Sequence, residues 1–373
     1  MVLRKLETNE HSKTRCLWEK VFSEDTREFL DYYYFIKTRD NEIYVIEEEE
    51  KIVSMLQLNP YTVRVEETAF PCHYIVAVAT EEYFRGRGYM RRLLLKAMED
   101  MYRRKEPFTF LMPAAEAIYS PYDFRFVYDQ TKGELGEICG EPEVELVEAG
   151  LSDAKEMADF FNANFASDYQ VCAVRDEAYY QTMIFEQKSE NGGVCLMRYE
   201  GELVGMFAYA REGRLEIREP NYLPKWREAF LKAAAMLRKP GEGCLLHACE
   251  EALTREKKPM IMARILHLEN FLGALKAEEG EEISCSFAVL DTILVKNSRV
   301  FRVQSEEQTG RLTVKETEDS EGILPIAELT SLLFGYRTLE EIRKLQGVIL
   351  TPHLEAELSK IRKLCRVYLN EVV

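Results

Sequence analysis

Apolar residues along the chain fall into three successive patterns. In the first, Leu17, Val21 and Phe22 form one helical stripe and Phe29, Leu30, Tyr33 and Tyr34 another, with Ser23 the expected cap between them. Runs of β-branched and apolar residues then predict a hairpin, Asn41 to Glu47 and Lys51 to Leu58, turning at Glu48-Glu49-Glu50. Strands at Thr62 to Glu66 and Cys72 to Thr80 are expected to continue the sheet. Beyond an Arg- and Gly-rich turn, Met90, Leu93, Leu94, Ala97, Met98 and Met101 share one helical face, and a short strand follows from Phe108 to Met112.

The second pattern repeats this opening. It has a strand from Val144, a helix capped at Ser152-Asp153 and running toward Phe165, a hairpin at Val194 to Tyr199 and Leu203 to Ala210, and a helix from Leu223 to Leu237. No Arg-rich turn precedes that last helix. The third pattern begins near Lys257-Lys258-Pro259. It has an apolar run at Ile261 to Ile265, a helix over His267 to Leu275, short strands up to Val314, a helix from Pro325 ended by Gly335, and another from Leu339 to Leu345. A mixed α/β fold of three domains is expected, spanning 1–140, 141–257 and 258–373.

The turn carries the chemistry. In Arg85-Gly86-Arg87-Gly88-Tyr89-Met90 a strand passes directly into a helix, whose first N–H groups lack intrahelical partners and present partial positive charge. Glycines let a backbone approach a phosphate closely, and Arg85, Arg87 and Arg91 add full charge. Such a turn suits a pyrophosphate.

Composition narrows the picture. With 49 basic and 65 acidic residues among 373, the formal net charge is −16. A chain so acidic repels nucleic acid and anionic membranes and attracts cationic molecules. Its nine cysteines form no Cys-x-x-Cys pair and its five histidines show no ligand spacing, so neither a disulfide framework nor a metal site is expected. A reducing cytoplasm is the expected location. No run of apolar residues is long enough to span a membrane.

The order helix, helix, hairpin, strands, Arg-x-x-Gly turn, helix, strand and tyrosine resembles the GNAT superfamily of N-acetyltransferases. Arg85 and Gly88 fit its acetyl-coenzyme A signature, while Met90 stands where a small residue is usual and Glu82 where a proline often sits. The segment from Ile118-Tyr119 through Phe124-Arg125-Phe126 is similar to the enhanced-intracellular-survival (Eis) acetyltransferases, although Asp123 and Arg125 replace glycines. That resemblance implies tandem GNAT domains, the second degenerate, and a sterol-carrier-protein-like C-terminal domain. It implies acetyl-coenzyme A held by Val78, Ala79, Thr80, Arg85, Gly86, Arg87, Gly88, Tyr89, Met90 and Arg91, with Ala114 and Ala115 opposite.

It further implies Tyr119 as general acid and the terminal carboxylate of Val373 as general base, which accords with the unexpectedly apolar chain end. Tyr32, Tyr33, Tyr34 and Phe35, with Glu24, Asp25, Glu28 and Asp31, are candidates for the acceptor site, although an aromatic cluster at this spacing is more often core and the acids more often a solvated helix face. The expected acceptor is a small cationic amine, aminoglycoside-type first, and a trimer or hexamer is expected. Polyamine or protein-lysine acetylation stays open, as does a non-enzymatic protein binding coenzyme A or lipid.

Overall fold

The computed structural model describes residues 1–211, 213–249 and 254–371. Two sheets organise them. The first unit runs β1 (Val2–Lys5), α1 (Arg15–Val21), α2 (Arg27–Phe35), β2 (Glu42–Glu48), β3 (Lys51–Val65), β4 (Thr68–Thr80), α3 (Tyr89–Arg103), β5 (Phe108–Leu111), α4 (Glu116–Tyr119) and β6 (Arg125–Glu134). The second runs β7 (Glu145–Glu148), α5 (Ala154–Asn164), β8 (Val171–Ala173), α6 (Glu177–Ser189), β9 (Gly193–Tyr199), β10 (Glu202–Arg211), β11 (Leu215–Tyr222), α7 (Arg227–Met236) and β12 (Cys244–His247).

β13 (Glu256–Ile265) follows, and then α8 (Leu268–Leu272), β14 (Ser284–Leu290), β15 (Val300–Ser305), β16 (Leu312–Glu316), β17 (Gly322–Pro325), α9 (Ile326–Leu333), α10 (Leu339–Ile342), β18 (Ile349–Leu350), α11 (Pro352–Ser359) and β19 (Val367–Tyr368).

The second unit repeats the first. β2, β3, β4 and β5 lie side by side, antiparallel except for the parallel β4–β5 pair that α3 crosses, and β9, β10, β11 and β12 do the same across α7. Both are one sheet. Its order is β1-β2-β3-β4-β5-β13-β6-β12-β11-β10-β9-β7, with β8 and β19 attached beside β3. β13 threads between β5 and β6, antiparallel to each, so the expected boundary at 257–258 falls inside a strand of the large sheet.

Local signals set most of the first unit. Glu49 and Glu50 both take positive φ and close a tight β2–β3 turn. The helical stripe predicted for α3 is buried at Leu93, Leu94, Ala97, Met98 and Met101, with Tyr89 in place of the half-buried Met90. Two expectations shift. Thr26, not Ser23, caps α2, its hydroxyl accepting from the Phe29 N–H at 3.1 Å. Thr62 to Glu66 is no separate strand, because β3 runs unbroken to Val65, pairing with β8 at Val63 to Val65.

The C-terminal unit adds a five-stranded sheet, β16-β15-β14-β17-β18, and docks on the large sheet through aromatic packing. Phe334, just after α9, meets Phe108 of β5 at 5.5 Å and Phe271 of α8 at 5.2 Å between ring centroids. Across the same junction Arg264 and Asp291, both fully buried in side chain, pair at 2.7 Å. Buried charges are tolerated where each meets its partner, and this pair joins β13 to the C-terminal unit.

Candidate active site

β4 holds the first part of the site. Its pairing with β3 skips from Met55↔Ala79 to Gln57↔Val76, so Ala77 and Val78 together oppose Leu56. Ala77 takes φ 49°, the left-handed region that a residue with a Cβ rarely adopts. Such a bulge bends its strand. β4 and β5 pair only at Tyr74↔Phe110. Beyond that point they part, leaving the β5-facing edge of Val78, Ala79 and Thr80 to another partner.

The cradle follows at once. Gly86 and Gly88 have φ 78° and 75°, and nothing lies within 4 Å of a Cβ built on either. Here the glycines serve a left-handed turn that opens onto free space. Gly88 starts α3 without a side-chain cap, so the first helical N–H groups face outward. Arg85, Arg87 and Arg91 are exposed around the turn. Arg85 Nε donates to the Thr80 carbonyl and Arg87 Nη2 to the Tyr83 carbonyl, each at 3.2 Å, while Arg87 also lies over the Phe84 ring. Tyr89 faces inward and donates to Glu48. Ala114 and Ala115 are exposed beyond the end of β5. This donor set fits a coenzyme A pyrophosphate with its pantetheine arm along β4.

Tyr119 ends α4 with its ring buried against Phe124, 6.0 Å between centroids. Burial pushes its phenol up to about 12. The apolar chain end behaves as a strap: β19 pairs in parallel with β8, and Leu369 is fully buried. Asn370 and Glu371 continue into a cleft of about 500 Å³. Val373 itself lies outside the described residues.

That cleft separates the two repeated units. Lys37, Tyr61 and Met112 contribute from the first, and Asp176, Glu186 and Glu219 from the second. Met112 directly follows β5, and the Tyr61 ring lies 6.1 Å from that of Phe110, so the cleft adjoins the point where β4 and β5 part. Of the aromatic candidates only Tyr32 reaches its wall, donating to Glu186 at 3.0 Å. Tyr33 and Tyr34 pack in the helix–sheet core and Phe35 is 72% exposed. Asp25 and Asp31 are engaged elsewhere, by Trp18 and Arg15, and Glu24 and Glu28 do not line the cleft either.

Three charged residues that converge beside this cleft were not singled out in the sequence. Fully buried Arg175, just after β8, donates to Glu219 of β11 and lies 3.6 Å from Glu371. Tyr368 donates to the same Glu219 carboxylate at 2.9 Å, and Asn370 to its other oxygen. Glu219 has φ 50° and stands at the second unit's bulge, where β10 pairing skips from Met206↔Asn221 to Ala208↔Arg218. Glu219 thus occupies the position that Ala77 holds in the first unit.

Among the described residues no cluster of His, Cys, Asp and Glu is arranged to hold a metal, and no helix is long and apolar enough to cross a membrane.

Residues 2–127 match the family model of the acetyltransferase (GNAT) domain, and residues 268–368 that of the sterol carrier protein domain. No curated protein sequence matches the chain. Solved structures share its fold end to end. A probable N-acyltransferase of Enterococcus faecalis V583, described as a conserved protein of unknown function, superposes with TM-score 0.82 at 18% identity, covering 98% of this chain and 96% of its own. A GCN5-related N-acetyltransferase of Anabaena variabilis gives 0.80 at 16%, covering 96% and 97%. Eis1 of Mycobacterium abscessus gives 0.70 at 12%, each chain covered completely. Residues 2–127 with the strand-turn-helix cradle are therefore a GNAT acetyltransferase domain, residues 268–368 are a sterol carrier protein domain, and the chain as a whole has an Eis-like fold.

Proposed function

We propose that this chain transfers the acetyl group of acetyl-coenzyme A to the nitrogen of a small cationic amine, aminoglycoside-type first among the candidates. The observation that carries this reading is the cleft beside the parted strands: Asp40, Asp176, Glu186, Glu216, Glu219 and Glu371 line it, against the cations Lys37, Lys132 and Arg218. Acids drawn from both repeated units suit a ligand with several ammonium groups, which keeps polyamines as the second class. Nucleic acid and anionic membranes are not expected partners of a chain with net charge −16.

Acetyl-coenzyme A supplies an activated thioester. The open edge of β4 and the N-terminus of α3 orient it, the buried Tyr119 phenol stays protonated to serve the departing sulfur as general acid, and the terminal carboxylate of Val373 is the proposed general base. Residues 367–371 lead toward the cleft, which supports a chain end acting there. Nine free cysteines accord with a reducing cytoplasm, and a trimer or hexamer follows from the family resemblance.

The test is thiol release from acetyl-coenzyme A by untagged protein against aminoglycosides, polyamines and lysine peptides. Tyr119→Phe is expected to lower kcat by about 10²- to 10⁴-fold with coenzyme A affinity kept. Undiminished turnover would remove Tyr119 from the mechanism.

A further inference from the structure

Glu371 lines the cleft on the strap that β19 anchors. Its carboxyl group is buried, and Oε1 accepts the Tyr179 hydroxyl at 3.2 Å while facing Arg175 Nη2 at 3.6 Å. The other oxygen, Oε2, is buried with no hydrogen-bond partner among the described residues. A buried carboxylate oxygen without a donor is unfavourable unless something supplies one. Arg175 gives Nη1 to Glu219, while its Nη2, also without a hydrogen-bond partner, stands 3.6 Å from Oε1 and makes no hydrogen bond to Oε2. The arrangement is a buried, unpartnered acceptor in the wall of the cleft.

Amide formation from an ammonium removes two protons from nitrogen. One must leave before the lone pair exists; the other leaves as the N–C bond forms, and balances the proton that sulfur gains as the C–S bond breaks. The Tyr119 and Val373 pair, taken from the proposed acetyl transfer on which this inference rests, accounts for the second proton only. We propose that Glu371 takes the first: the bound ammonium donates to Oε2, passes one proton to the carboxylate, and attacks as the neutral amine. That proton then leaves to solvent. In the sum, ammonium and thioester become amide, thiol and one free proton.

The surroundings suit this role. Burial pushes the Glu371 carboxyl up to about 7, while the Arg175 guanidinium restrains the rise and the Glu219 carboxylate adds to it. Lys37, across the cleft, is lowered by burial, and Glu186 beside it is raised by burial. The phenols of Tyr61, Tyr74, Tyr128, Tyr179 and Tyr180 and the thiol of Cys172 also face this group. All are pushed up by burial and stay neutral near pH 7, and the His247 imidazole in the same cleft is lowered by burial.

Untagged wild type, Glu371→Gln, Glu371→Asp, Glu186→Gln and a variant lacking Val372 and Val373 decide the matter, with kanamycin and spermine as probes. Wild-type kcat/KM is expected to fall on the acid side near pH 7. Glu371→Gln is expected to lose about 100-fold in kcat and to lose that limb, with coenzyme A affinity within about twofold, while Glu371→Asp keeps part of both. Calorimetry in buffers of different ionisation enthalpy adds a readout without turnover: kanamycin binding to the coenzyme A complex at pH 7 releases a proton from wild type and none from Glu371→Gln.

Unchanged rate and limb in Glu371→Gln would overturn the proposal, as would a limb that vanishes instead in Glu186→Gln or in the shortened chain. Should wild type acetylate no amine, the transferase reading falls on its own. Proton release on kanamycin binding, lost in Glu371→Gln, would still support Glu371 as the ammonium's partner, and equal release from both would exclude it.

Discussion

The two repeated units share a strand order, a crossing helix and a bulge at the same place, yet they use the bulge differently. In the first, Ala77 offers no functional group, and what the bulge provides is the parted β4 edge leading to Gly86, Gly88 and an uncapped helix. In the second, Glu219 turns a carboxylate inward to meet Arg175, Tyr368 and Asn370. Its helix begins after Leu223-Pro224-Lys225-Trp226, with Pro224 in the first turn and no glycine pair. In one unit the strands stay parted. The other fills the corresponding position with the chain's own C-terminal segment, and so builds the far wall of the cleft between the units.

This contrast can be broken from either side. The largest effect is expected from Glu219→Ala, which removes the close partner of buried Arg175, leaving it Glu371 at 3.6 Å, and removes the acceptor for Tyr368 and Asn370. A loss of about 3–5 kcal/mol in denaturant unfolding is expected, together with proteolytic release of residues 367–371. A loss below about 1 kcal/mol would mean that the strap is held by apolar packing instead.

Next in size, Arg85→Ala combined with Gly88→Asp should weaken coenzyme A binding by about 100-fold or more, since two contacts to a charged pyrophosphate are removed at roughly 1.5–3 kcal/mol each. Lys225→Ala, at the matching turn of the second unit, should leave the affinity unchanged. Calorimetric titration separates the two outcomes, and a loss in Lys225→Ala would assign the second unit a coenzyme A site of its own.

The smallest effect concerns the bulge itself. Ala77→Gly relieves a left-handed residue of its Cβ and should stabilise the protein by about 1 kcal/mol without altering coenzyme A affinity. A destabilised variant would show that the Cβ of Ala77, buried against the α1–α2 core, outweighs the strain it carries.

What was legible in the sequence was local. Arg85 to Met90 and the apolar face of α3 lie within 20 residues of one another, and their spacing alone describes a strand-turn-helix unit. The hairpins turning at Glu49 and Glu200 are equally short-range. Harder to read was everything that depends on segments far apart. Ser23 and Thr26 are both good caps by residue type; in the fold Thr26 caps α2, and Trp18 packs against Phe29 and Tyr33 in its first two turns. Arg175, Glu219 and Glu371 each look like ordinary surface charges until β8, β11 and the strap converge. Glu371 did leave a faint trace as the lone acid in an apolar chain end. Tyr32 was singled out for its ring, whereas its hydroxyl on Glu186 is what reaches the cleft.

β13 gives the molecule a timetable. The edge of β5 that carries Phe108, Phe110 and Leu111 is covered by residues 262–265, and β6 meets the same strand. On a ribosome the acetyltransferase domain can therefore form its helices and its β2–β4 hairpins early, but its sheet stays unfinished until the second unit has been made and the chain has returned. Through that interval an apolar strand edge is exposed, the kind of edge that pairs with neighbouring chains. Tandem repetition here is thus a folding obligation: the catalytic unit cannot be cut from its partner without leaving its own sheet open.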